Sequence, residues 1–106
     1  MTVYIGGVQT FKETKPDKAQ ALKPLEEAAE VFGAWQAWNQ WNEYLIENKY
    51  PDIDLTGTSD FYRRYVVDEC CDNITATCNL LESLGVTDLR EAMERCAERN
   101  RKRGRL

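Results

Sequence analysis

The sequence predicts an all-α fold: a helical bundle of about three helices per chain, completed by oligomerisation and carrying a short N-terminal β-hairpin. Three observations carry that expectation. Apolar residues recur at helical spacing over 17–48, 59–84 and 88–103, with turn and capping residues between these stretches. The single glycine pair near the start sits between short alternating runs, where a hairpin would turn. And 106 residues with 42% hydrophobic content make one domain, 1–106, that leaves roughly a third of its unfolded surface exposed at this size, so core is expected to be shared with another copy.

In residues 1–12, Val3, Ile5, Val8 and Phe11 alternate weakly around Gly6-Gly7. Glycine supplies positive φ at no steric cost, which is the chemistry a tight hairpin turn requires. An isolated hairpin is marginal, so it must lie against something. Thr14 or Asp17 can then cap the first helical segment, 17–48, which runs through Leu22, Leu25, Ala29 and Phe32 and contains Pro24 and Gly33. Unbroken, it would span about 45 Å, so a bend or break near Gly33, or a protruding half that meets another subunit, is expected. Its second half carries Trp35, Trp38 and Trp41, interleaved with Gln36, Asn39, Gln40 and Asn42. Tryptophans at this spacing are core or interface in the ordinary case. The functional alternative is a platform on which Trp35 or Trp38 stacks a nucleobase while the Asn39 amide reads its edge.

The loop 50–60 is marked by Pro51, Gly57 and the polar run 56–59. Asp52-x-Asp54-x-Thr56-Gly57 imitates the start of an EF-hand, but the twelfth position, where a bidentate Glu belongs, is Arg63, so calcium binding is not expected. Ser59 or Asp60 opens the second helix, and Gly85 ends it as a C-terminal cap. Asp88 with Glu91 three residues on reads as a capping box for the third helix, which carries Leu89, Met93, Cys96 and Ala97.

Charge and cysteine usage narrow the function classes. The net charge is -4, yet Arg99, Arg101, Lys102, Arg103 and Arg105 crowd the end and leave nine basic against 18 acidic residues elsewhere. So acidic a body argues against nucleic acid as the partner of the whole surface. Cys70, Cys71, Cys78 and Cys96 form no C-x-x-C pair, and there is no histidine, so a zinc site would have to use thiolates and carboxylates alone. Small hydrophobes in a reduced compartment are the plainer reading, and a cytoplasmic location is expected because no apolar signal segment or membrane-length run occurs.

The chemistry sits in two acidic stretches. In Leu25-Glu26-Glu27-Ala28-Ala29-Glu30, at about 100° per residue, Glu26, Glu27 and Glu30 fill one wedge with Leu22, Ala29, Gly33 and Ala37 in or beside it. In Glu69-Cys70-Cys71-Asp72, Glu69 shares its side with Asn73, Ala76 and Leu80, and Asp72 flanks it. Carboxylates on an apolar face cost several kcal/mol unless paired or metal-bound. If the two helices pack antiparallel, the pairs meet and build an all-oxygen cage suited to Mg²⁺ or Mn²⁺, whose habitual companions are substrate phosphates. Without histidine, a di-iron carboxylate centre does not fit.

Glu26-Glu27-x-x-Glu30, then Glu69-x-x-Asp72 leading into 73–84 with Gly85-Val86, then Arg99-Asn100-Arg101-Lys102-Arg103-Gly104, resembles the MazG-like all-α nucleotide pyrophosphohydrolases over roughly residues 17–105. The resemblance implies Mg²⁺-dependent cleavage of a ribo- or deoxynucleoside triphosphate to the monophosphate and pyrophosphate, by a homodimer or homotetramer. It implies that Glu27, Glu30, Glu69 and Asp72 ligate the metal, that Glu26 is a further ligand or orients the attacking water, and that Arg99, Asn100 and Arg103 contact phosphates. Glu26 and Glu27 are then the catalytic pair. Two alternatives stay open. One is a non-catalytic helical interaction module with a basic tail; the other keeps the fold and takes phosphoribosyl-ATP as substrate. For the tail itself, the helix dipole alone accounts for bases at a C-terminus.

Overall fold

The computed structural model describes residues 1–48 and 57–106, and its regular structure is three α-helices: α1 (Lys18–Glu47), α2 (Thr58–Ser83) and α3 (Arg90–Lys102). Asp17 caps α1 by accepting the Gln20 N–H at 2.9 Å. From there α1 runs through both Pro24 and Gly33 as one helix, with no break at Gly33. Pro24 forgoes one backbone bond, at a cost of about 3 kcal/mol in an ordinary helix interior. Packing along the rest of the helix offsets that, because its covered positions form a continuous seam.

That seam explains why two helices hold together. On α1 it runs Gln20, Pro24, Glu27, Val31, Ala34, Trp38, Trp41 and Leu45, alternately four and three residues apart. On α2 it runs Tyr62, Val66, Glu69, Asn73, Ala76, Leu80 and Ser83 with the same alternation. This spacing keeps one stripe facing a partner helix. The pairing is antiparallel: Trp41 Nε1 donates to Ser59 Oγ at 2.8 Å and its ring lies 6.0 Å from that of Tyr62, while Glu27, near the other end of α1, meets Glu69 and Asp72. Ala34, Leu45 and Ala76 are the fully covered apolar residues, and burying a Leu contributes about 1.5–3 kcal/mol.

α2 ends as expected at Gly85. With φ at 80°, Gly85 donates to Glu82 O (2.8 Å) and Val86 N–H reaches back to Leu81 O (2.9 Å), the paired bonds of a Schellman motif. Gly104 repeats this after α3, with Arg105 N–H on Asn100 O at 2.9 Å, so the basic end is a closed cap. The start of α3 departs from the capping box. Leu89 occupies the cap position, Asp88 accepts from Arg90 N–H and its guanidinium, and Glu91 pairs with Arg95. Arg90 competes for the Asp88 carboxylate more strongly than a backbone amide further along the helix.

The hairpin expected over 1–12 is not formed: the described residues contain no strand. Val3, Tyr4 and Ile5 are exposed, so no sheet face is backed by a core. The segment is tied instead to α2, where Asn79, 1% exposed, accepts the Phe11 N–H at 2.8 Å.

α3 makes no contact with α1 or α2 among the described residues. The radius of gyration is 17.6 Å, against about 13 Å for a compact domain of 100 residues. A second apolar stripe on α1, through Leu22, Leu25, Phe32, Trp35 and Ile46, is exposed, as are Phe61, Tyr65 and Val67 on α2. No described helix is long and apolar enough to cross a membrane.

Candidate metal centre

The antiparallel seam carries acids where an ordinary coiled coil would carry aliphatic residues. Glu27 sits in the α1 seam four residues before Val31, and Glu69 occupies the α2 seam three residues before Asp72, which lies at its edge. Because an i, i+3 pair projects from adjacent turns of one surface, Asp72 reaches the same spot from the rim. The result is three carboxylates from two helices with one oxygen of each lying within 4.8 Å of the others.

Burial grades across the group. Glu27 is 9% exposed, Glu69 is half-buried and Asp72 is exposed, so the cluster opens to solvent on the Asp72 side. Glu27 Oε2 and Glu69 Oε2 are both buried without a hydrogen-bond partner. An unsatisfied buried carboxylate oxygen costs on the order of 1–3 kcal/mol, more when ionised, so two of them on neighbouring acids favour a bound cation. The donor set is all oxygen, open on one side, and it fits a hard divalent ion that keeps water or substrate oxygens on its remaining positions.

Lys23, one turn before Glu27, partly answers the charge. Its ammonium lies 3.4 Å from Glu27 Oε1 and 3.3 Å from Glu26 Oε2. Its hydrogen bonds to Glu26 and then Glu27 raise its pKa above the ordinary lysine value, so it stays protonated. It covers Glu27 Oε1 and leaves the buried Oε2 without a partner.

The other residues expected at the site are placed elsewhere. Glu26 is exposed and engaged by Lys23, and Glu30 is exposed outside the three-acid group. The wedge drawn from helical angle was centred on the wrong side: the seam runs through Glu27, Val31 and Ala34, which leaves Leu22, Ala29 and Gly33 outward with Glu26 and Glu30. Trp38 lies in the seam about 17 Å along α1 from Glu27, Trp35 is exposed and stacks on Phe32 at 5.9 Å, and the Asn39 amide donates to Glu43. Arg99 and Asn100 are on α3 and Arg103 is its C-cap, and α3 meets neither acidic helix; Asn100 accepts from Arg105 and closes the cap. The tempting Asp52 and Asp54 lie outside the described residues.

Three residues that motif reading passed over now matter. Lys23 was legible as the base at i+4 spacing before Glu27. Asn79 and Glu82 were not, since the N-terminal segment reaches Asn79 through the Phe11 N–H and the burial of Glu82 Oε2 is a product of tertiary packing that no local spacing signals. All four cysteines are free thiols, and none is the small buried residue expected: Cys71 is exposed and Cys70, Cys78 and Cys96 are half-buried. No protein-family model matches the chain, and no curated protein or solved structure matches it either.

Proposed function

We propose that this chain is a Mg²⁺-dependent nucleotide pyrophosphohydrolase of MazG-like type, with Mn²⁺ as an alternative ion, releasing pyrophosphate and a nucleoside monophosphate from a triphosphate. The observation that supports it best is the meeting of Glu27, Glu69 and Asp72 across α1 and α2 with two buried oxygens unpartnered. An all-carboxylate cage with an open side suits a cation that also binds substrate phosphates.

In this reading Glu27, Glu69 and Asp72 hold the ion, while Glu30 stands one turn away at the solvent edge. When bound, the ion neutralises phosphate charge and acidifies a water. Glu27 is held by Lys23 on Oε1 and keeps Oε2 buried and unpartnered. The displacement itself is attack of water on the α-phosphorus with rupture of the bond to the bridging oxygen, pyrophosphate leaving. Arg99, Asn100 and Arg103 would reach phosphates only from another copy of the chain. The exposed stripe of Leu25, Phe32, Trp35 and Ile46 supports such an assembly, because four large apolar side chains on one helix face stay wet in the single chain.

The test is a panel of ribo- and deoxynucleoside triphosphates and phosphoribosyl-ATP, assayed with Mg²⁺ and Mn²⁺ for pyrophosphate and for orthophosphate. Turnover to pyrophosphate is expected for at least one compound and should vanish in E69Q and D72N proteins whose helicity is intact. Absence of turnover across the panel, or activity indifferent to both substitutions, removes the proposal and leaves the helical interaction module.

A further inference from the structure

A triphosphate must approach this site against its charge. Three carboxylates facing one divalent ion leave one negative charge uncompensated, and the body around them is acidic. The base supply on the helix pair is short: Lys18 and Lys23 on α1, Arg63 and Arg64 on α2. Arg63 and Arg64 are both paired to Asp60 near the start of α2, at the far end of the seam from Glu27. Lys18 lies about 13 Å along α1 from Glu27. The basic residues of α3 touch neither helix.

Of the basic residues on the two helices, Lys23 is the one whose ammonium borders the cluster, 3.4 Å from Glu27 Oε1 with its side chain half exposed. We infer that Lys23 is a substrate-contacting residue of this site, its ammonium donating to a non-bridging oxygen of the polyphosphate while it stays beside Glu27. This rests on the pyrophosphohydrolase reading for the identity of the substrate. The chemistry needs little rearrangement. An ammonium carries three donors, and Glu27 and Glu26 account for two. The third has the open side available, and Glu26, exposed and screened by water, is readily exchanged for a phosphate oxygen. Lys23 adds one positive charge beside the ion and its three acids, and exchanging Glu26 for a phosphate oxygen turns that charge toward the polyphosphate.

The experiment uses the full chain in wild-type, K23Q and K23R forms. Three quantities are read: Mn²⁺ binding by calorimetry without nucleotide, inhibition or binding by inorganic pyrophosphate with Mn²⁺ present, and the separate KM and kcat of any turnover. A charge-assisted hydrogen bond lost to water should weaken pyrophosphate binding by about tenfold to a hundredfold in K23Q and raise KM in step, with K23R recovering most of it. Mn²⁺ affinity should hold or tighten in K23Q, since a competing cation is gone. Unchanged pyrophosphate binding in K23Q overturns the assignment, and so does a parallel loss of Mn²⁺ binding, which would make Lys23 a prop for the acids alone. Wild-type protein that binds Mn²⁺ and pyrophosphate but hydrolyses nothing defeats the pyrophosphohydrolase reading, while the K23Q comparison still decides Lys23.

Discussion

Replacing Glu69 by glutamine should make the metal-free protein more stable, the reverse of what removing a half-buried polar contact usually does. Glu69 faces Glu27 and Asp72 with oxygens no more than 4.8 Å apart. At that separation two unit charges repel by about 3 kcal/mol at an effective dielectric constant of 20, and by about 1 kcal/mol in bulk water. The cluster is half open, so the relief from E69Q should fall at about 1–3 kcal/mol. The new amide can also donate toward the unpartnered Glu27 Oε2. For a domain of this size each kcal/mol moves Tm by roughly 4–8 °C. The assay is thermal unfolding followed by helix circular dichroism, with EDTA and then with saturating Mg²⁺ or Mn²⁺. In EDTA the E69Q curve should lie several degrees above wild type. With the ion present the order should reverse, because an ion at a hundredfold its Kd adds about 2.7 kcal/mol to a protein that binds it, and E69Q has lost a ligand. Refutation would come from an E69Q protein that melts lower in EDTA, or from a wild-type Tm that divalent ions leave in place. The first result means that the carboxylates do not repel at the distances described, the second that no ion binds among them, and either removes the metal centre.

Three further outcomes test the frame that holds the site. Asn79→Ala should cost about 1 kcal/mol and speed proteolysis within residues 1–12, since Phe11 N–H loses its acceptor but can turn to water; unchanged proteolysis would separate the segment from α2. Gly33→Ala and Gly85→Ala should move stability in opposite directions by about 0.5–1 kcal/mol in urea melts: an added methyl at helical Gly33 meets nothing within 4 Å, whereas Gly85 holds φ at 80°. Asp88 should titrate in NMR with a midpoint of about 2, against the ordinary 3.8, because the Arg90 side chain and then its N–H hold the carboxylate charged. A depressed folded-state value stabilises the fold above the unfolded pKa, so this contribution is present above about pH 4 and is lost as pH falls through about 2; R90A should bring the midpoint back toward 3.8.

The helices were legible because their signals are local. Periodicity, the Asp17 cap and the glycine at 85 are decided by residues within a turn or two of one another, and α1 begins and α2 ends where those signals stand. By contrast, α2 begins at Thr58 after Gly57 and α3 at Arg90 after Leu89, away from the expected Ser59, Asp60 and Asp88 caps. The hairpin was misread for the complementary reason: alternation and a glycine pair permit strands but cannot supply the surface that strands must rest on. Within the acids, spacing established that Glu26, Glu27 and Glu30 share a region of α1 and that Glu69 and Asp72 share one of α2. Which of them turn inward depended on the axis about which α1 faces α2, and a rotation of one residue, about 100°, exchanges Glu26 for Glu27 at the seam. No local signal sets that angle. It is set by the summed packing of Ala34, Trp38, Trp41 and Leu45 against α2, and the same packing leaves Glu30 and α3 outside, so the chain alone determined its helices while only the tertiary structure chose which carboxylates meet.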